Sequence, residues 1–177
     1  MRIRLATQDD TGAAVDVIKA VYDEYGFTWD KAAYHADLYD LEGAYLSIGN
    51  LFWIAENADG RAIGTVALEH FETLPGTPGH LIQFEGQSRI TGCSCGLMRL
   101  YVKPDARKVG AGSALLNQAI FAARESGQNF MEIWSDKRFA EAHRLYKKFG
   151  ARIVGDRICD DPDESPEWGL ILGLETE

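Results

Sequence analysis

The sequence predicts a single α/β domain, and three observations lead there. The chain has 177 residues with 46% hydrophobic content, enough for one well-filled core and short for two. Stretches whose apolar residues recur at helical spacing alternate with short apolar runs of strand type. The run Gly96-Leu97-Met98-Arg99-Leu100-Tyr101-Val102 is stopped by Lys103-Pro104. It then passes through a glycine-containing turn, Arg107-Lys108-Val109-Gly110-Ala111-Gly112-Ser113, straight into a helix-like segment at 114–120.

Taken in order, residues 3–5 read as a short strand. Asp9, Asp10 or Thr11 then caps a helix whose stripe of Ala14, Val17, Ile18, Val21, Tyr22 and Tyr25 has the i, i+3, i+4, i+7 spacing of a buried face. A second helical region is expected over 30–39. Residues 51–55 and 62–68 are strand-like, and the turn composition Asn57-Ala58-Asp59-Gly60 joins them as an antiparallel hairpin. Residues 70–93, with Pro75, Pro78 and several glycines, read as an excursion between strands, of the functional or mobile kind. After the strand 96–102 comes a helix over about 112–124, with Gly127 as its C′ residue. Residues 130–134 form the next strand. Ser135 or Asp136 caps a helix carrying Phe139, Ala142, Leu145, Tyr146 and Phe149 on one face, with Lys147 and Lys148 near its end and Gly150 as its stop. Residues 153–154 and 168–174 close the chain as strands around an acidic turn.

Charge and cysteines narrow the function. A formal net charge of -9 argues against nucleic acid as a partner, because phosphate neutralisation needs clustered Lys and Arg. Lys103, Arg107 and Lys108 are the exception, gathered beside the glycine turn. The acidic surface elsewhere serves solubility or attracts cationic substrates. No segment has the apolar length of a membrane span, so a cytoplasmic protein without a membrane partner is expected. Cys93, Cys95 and Cys159 make neither a disulfide framework nor a zinc spacing and read as buried thiols, with no metal expected.

The glycine turn carries the chemistry. Unpaired amides at a helix start, approached closely through glycines, form a site for a phosphate or diphosphate. A dinucleotide fingerprint would need a third glycine where Leu115 stands, and a Walker loop would need Gly-Lys-Ser/Thr, which does not follow. What remains is R-x-x-G-x-G after Tyr101-Val102-Lys103-Pro104, with Ala142-His143-Arg144-Leu145-Tyr146-Lys147-Lys148-Phe149-Gly150-Ala151 downstream. This pair of phrases resembles the GNAT superfamily of acyl-CoA-dependent N-acyltransferases.

The resemblance implies a mixed, mostly antiparallel central sheet flanked by helices, with acetyl-CoA as co-substrate. The backbone of Lys108, Val109, Gly110, Ala111, Gly112 and Ser113 would hold the coenzyme diphosphate, with Arg107 adding positive charge or merely capping the turn. Backbone groups of Leu100, Tyr101 and Val102 would pair with the pantetheine arm like an added strand, the Leu100 N–H pointing at the thioester oxygen. Tyr146 matches the family's helix tyrosine and would be the general acid beside the coenzyme sulfur. Related chains commonly carry a glutamate before the Leu-x-Arg-Leu-Tyr-Val strand, where this one has Cys95-Gly96. Either Glu69 or a relay of waters to bulk solvent leads as the route for the amine proton, with Glu85, His70 and His80 as alternatives. His143, three residues before Tyr146, either tunes that hydroxyl or meets solvent or coenzyme, and Phe139 stands where many relatives place a coenzyme-contacting asparagine. The implied reaction is acetyl transfer to a primary amine on a small molecule by direct attack, with the acceptor bound by residues 25–45 and 70–92. Acetylation of a protein N-terminus or lysine, a non-catalytic acyl-CoA sensor and a homodimer all remain open.

Overall fold

The computed structural model describes residues 1–175. The chain runs β1 (Arg2–Leu5), α1 (Thr11–Tyr25), α2 (Leu41–Ala44), β2 (Leu51–Glu56), β3 (Ala62–His70), β4 (Leu81–Phe84), β5 (Gln87–Ile90) and β6 (Cys95–Val102). It continues through α3 (Ala111–Glu125), β7 (Phe130–Asp136), α4 (Ala140–Lys148), β8 (Arg152–Ile158) and β9 (Pro166–Gly173). Seven strands form one sheet in the order β1-β2-β3-β6-β7-β9-β8, and β4 pairs only with β5. Every neighbouring pair is antiparallel except β6 and β7, which the α3 crossover makes parallel. The expected mixed, mostly antiparallel sheet flanked by helices is what forms.

Side-chain alternation along the strands divides the core between two faces. Leu68, Cys95, Leu97, Met131, Ile133 and Leu170 point to one face, where Leu115, Leu116 and Ala119 of α3 and Tyr146 of α4 cover them. Phe52, Ile54 and Ala67 point to the other, against Ala14, Ile18 and Tyr22 of α1. Farther along that second face, Ile90 and Cys93 of the 70–93 segment pack on Ile171. The three thiols are all buried, as expected, and burial pushes those of Cys95 and Cys159 up to about 12.

Three local expectations change. Over 30–39 the Asp30 carboxylate accepts the amides of Ala32, Ala33 and Tyr34, a helix-like start, yet only a 3-10 turn at Ala36–Tyr39 and the short α2 follow. Burial wins over helix propagation here: His35 is fully buried and stacks on Trp29 at 3.9 Å with Tyr22 edge-on. The excursion 70–93 is ordered by the hairpin β4–β5, turned at Glu85-Gly86, both with positive φ. Finally, α4 starts at Ala140 instead of being capped by Ser135 or Asp136, because β7 stays paired with β9 through Asp136↔Glu167.

The sheet is split where it matters. β6 and β7 pair only from Cys95↔Met131 to Leu97↔Ile133, although both strands continue for several residues. The cause is a bulge: the β3–β6 register shifts between Thr65 and Ala67, and Arg99 takes a φ of 51. Arg99 and Leu100 have no register partner on either neighbouring strand, and β6 veers from β7 to open a wedge.

Candidate active site

The wedge widens into a cleft of about 930 Å³ that passes between the two faces of the sheet. At one end stands the start of α3. Lys108 and Gly110 both adopt left-handed backbone, φ 66 and 87, which turns the chain so that successive amides face the same way. Among the described residues, no protein group accepts from the N–H groups of residues 108–113, whereas the next amide, that of Ala114, bonds the Gly110 carbonyl at 3.0 Å. Gly112 sits against Leu145 and Val102, where an added Cβ would come within 3.5 and 3.8 Å. The helix dipole adds positive potential, and Lys108 lines the same end. Val109, by contrast, is exposed and contributes backbone alone.

Arg107 is more than a free charge. Its guanidinium donates to both carboxylate oxygens of Glu24, one at 2.9 Å, and Nε reaches the Val102 carbonyl at 3.3 Å. It therefore straps the end of α1 to the turn while still lining the cleft.

Along the cleft wall come Val102, Tyr101 and Leu100, and opposite them Ala142, Leu145 and Tyr146 of α4. Tyr146 is buried but borders the cleft, and burial above all, with Tyr101 nearby, pushes its phenol well above the ordinary range, the Ser135 hydroxyl opposing. His143 turns away from solvent, its Nε2 3.1 Å from the Ser135 Oγ, and burial lowers its pKa. Ser135 thus links the imidazole to the neighbourhood of the phenol, which the sequence reading missed. Phe139 closes the cleft edge-on to Tyr25 at 4.9 Å.

Glu69 borders the same cleft at its other end. Its carboxyl accepts no hydrogen bond among the described residues, and burial raises its pKa, with Arg89 opposing and Glu132 adding. The alternatives lie elsewhere. Glu85 is at the hairpin tip, His80 is exposed, and His70 turns Nδ1 toward the Gly49 carbonyl at 3.3 Å, none of the three lining the cleft.

Two ion pairs furnish this second end. Arg99 donates to Asp37 through Nε at 3.0 Å and Nη2 at 2.7 Å, and to the Tyr34 carbonyl at 2.8 Å, while Tyr45 hydrogen-bonds the same Asp37. These contacts hold the left-handed Arg99 and hence the bulge. Arg157 pairs with Glu167 at 2.7 Å. Asp161 also lines this end and accepts from the Ser165 amide and hydroxyl. Asp37 lies 62 residues from Arg99, so no local pattern could link them. The one legible sign was an arginine inside the apolar run of β6. The loop after α1 is tied to the β8–β9 turn by Asp163, which accepts from the Thr28 amide at 2.8 Å and hydroxyl at 2.7 Å. No group of histidines, cysteines and carboxylates among the described residues is arranged to hold a metal, and no described helix is long and apolar enough to cross a membrane.

A parallel pair forced apart by a bulge, with open amides at the following helix and a tyrosine across the gap, is the arrangement that the resemblance to acyl-CoA-dependent N-acyltransferases implies. Residues 15–151 match the profile of the acetyltransferase (GNAT) family, and the chain belongs to that family. Among individual relatives, the chain is similar to the uncharacterized N-acetyltransferase YjgM of Escherichia coli K12, 28% identical over 150 residues that cover 84% of this chain and 80% of that protein. Its fold is similar to that of a GNAT-family acetyltransferase from Staphylococcus aureus Mu50, with a TM-score of 0.76 at 18% identity, covering 98% of this chain and 99% of the other. It is also similar to the structure of YncA from Salmonella typhimurium with its cofactor acetyl-CoA, with a TM-score of 0.69 at 18% identity, over 100% of this chain and 95% of that one.

Proposed function

We propose that the protein transfers an acetyl group from acetyl-CoA to a primary amine on a small molecule, by direct attack while both are bound. The observation that carries the reading is convergence: residues 108 and 110–113 with their open amides, the unpartnered Leu100, Tyr146 and Glu69 all border one cleft.

Acetyl-CoA supplies the activated thioester. Six open amides, two left-handed residues and Lys108 fit a diphosphate, and they would hold it at the α3 start with Arg107 bracing the turn. The backbone of Leu100, Tyr101 and Val102 would take the pantetheine arm, leaving the Leu100 N–H to stabilise charge on the thioester oxygen, a contribution of about 3 kcal/mol for one fixed donor. Glu69 accepts a proton from the attacking amine as the N–C bond forms. Tyr146 gives a proton to the departing sulfur as the C–S bond breaks. A phenol with a raised pKa stays protonated at neutral pH, as an acid must.

Two features support a small, cationic acceptor. The Thr28–Asp163 tie closes the side of the cleft bounded by Phe27 and Asp161, which disfavours a threaded polypeptide. Arg99 and Arg157 are each matched by a carboxylate, while Glu69 and Asp161 are in no ion pair among the described residues. Free thiol released from acetyl-CoA, followed across a panel of small primary amines, amino-terminal peptides and lysine peptides, tests the reading. Release with small amines is expected; release with peptides alone, or coenzyme binding with no amine-dependent release, overturns it.

A further inference from the structure

Glu69, Gly96 and Glu132 stand in register on three adjacent strands. Glu69 pairs opposite Gly96, and Gly96 opposite Glu132. Their neighbours Leu68, Cys95, Leu97, Met131 and Ile133 all belong to the α3 side, so alternation sends these three positions to the other face. With strands about 4.8 Å apart, the two glutamates flank a glycine notch across roughly 10 Å of backbone. A Cβ at Gly96 would make ordinary contacts, 3.5 Å to the Phe71 ring and 3.8 Å to the Glu132 Cγ, so these two side chains wall the notch.

The hairpin β4–β5 supplies what covers the notch. Arg89 Nε donates to Glu132 Oε1 at 2.6 Å, and the Ile90 amide donates to Oε2 at 2.9 Å. The Arg89 guanidinium carbon lies 4.5 Å above the Phe71 ring. Glu132 is buried and Arg89 half-buried, and the pair is better shielded than the exposed tip of its hairpin. Arg157 adds a second anchor, donating to the Ser88 carbonyl at 3.1 Å.

We propose that Arg89, clamped by Glu132 across the Gly96 notch, is a positioning residue for Glu69, which makes the β4–β5 hairpin part of the catalytic apparatus. The inference rests on the reading of Glu69 as the base. The charges that bear most on Glu69 are Arg89 from the hairpin and Glu132 from β7, while the Arg99–Asp37 and Arg157–Glu167 pairs and Asp161 stand at the same end of the cleft. β6 presents Gly96 there, and His70, next along β3, turns its ring toward Gly49. Arg89 draws the Glu69 carboxyl toward its charged form, and Glu132 both repels that charge and holds Arg89 away from it. One ion pair therefore has two opposed effects on a third group. Removing its cation and removing its anion shift Glu69 in opposite directions, whereas a pair too distant or too well screened to act on Glu69 shifts it in neither.

The test is the titration of Glu69, read by carboxyl ¹³C NMR on glutamate-labelled full-length protein and assigned by the signal lost in Glu69→Gln. Arg89→Met is expected to raise the midpoint by about 1 pH unit, and Glu132→Gln, which frees Arg89 to turn to Glu69, to lower it by a similar amount. Arg89→Lys keeps the charge and should titrate near the native value. No shift in Arg89→Met, or shifts of the same sign in Arg89→Met and Glu132→Gln, overturns the proposal. Should Glu132→Gln fail to fold, the contrast between Arg89→Met and Arg89→Lys decides alone. The role of Glu69 as base is read separately: Glu69→Gln that keeps the acidic limb of kcat/KM with an active amine from the panel removes that reading without touching the titration result.

Discussion

Gly110→Val isolates the geometry of the α3 turn from everything else in the site. Gly110 has a φ of 87, and a Cβ built on it would meet nothing within 4 Å, so the first carbon of the new side chain enters open space. Its cost begins in the backbone, about 1–2 kcal/mol for holding an L residue in left-handed conformation. If the turn relaxes to escape that cost, the amides of 108–113 lose their common aim, and acetyl-CoA affinity should fall by about 5- to 30-fold, the factor those energies set. If it does not relax, the same energy appears as lost stability, near 3 °C in Tm per kcal/mol for a chain of this size. Gly127, at the far end of the same helix, has a φ of 74 and equally open surroundings, so Gly127→Val bears the same strain away from the cleft. Calorimetric titration with acetyl-CoA and thermal melts on both variants complete the comparison. Weakened binding in the Gly110 variant alone is expected. Equal weakening in both, or native affinity in Gly110→Val together with native stability, refutes the assignment of these amides to the diphosphate.

Tyr146→Phe should lower kcat by at least about 10²-fold while leaving the acetyl-CoA dissociation constant near native, because it deletes only the hydroxyl that would donate the proton, and steady-state kinetics with calorimetry checks both. Asp163→Ala removes the tie to Thr28 at an exposed site, so unfolding should change by less than about 0.5 kcal/mol while KM for the amine rises, measured by thiol release. Asp10 accepts from Arg4 at 2.7 and 2.8 Å and from the Thr7 amide at 2.8 Å, which holds its folded-state pKa below the ordinary value. Its contribution to stability is therefore complete above about pH 4 and is lost as pH falls through the folded pKa. Asp10→Ala should cost about 2 kcal/mol at pH 7, with the gap to the native protein closing in acid, as urea melts across pH will read.

Much of the fold was legible because each long element carries its own period. The α1 stripe from Ala14 to Tyr22 is buried as spaced, and the α3 boundaries were met within one residue at each end. The glycine turn was legible for a different reason: Gly110 sits where only left-handed backbone completes the turn. What stayed hidden was set by distance along the chain. The aromatic packing of His35 and Trp29 overrode a capped helix start, and no window around residue 30 contains the partners responsible. Likewise Asp37 with Arg99 and Arg89 with Glu132 meet only after the sheet is built. Glu69 and Tyr146 could be named as candidates, but that both face one cleft follows from the splay of β6, which Arg99 encodes together with residues far from it.

The opening through the sheet is made by diverging main chain, and this has an evolutionary corollary. In the proposed reaction the acyl donor is gripped from the side of α3 and α4, whereas the acceptor is met by α1 and its following loop on the opposite side. The two recruitment surfaces share almost no side chains, so mutations that retune amine choice need not disturb the thioester grip. Such a division lets a lineage exchange acceptors repeatedly while its donor half stands still.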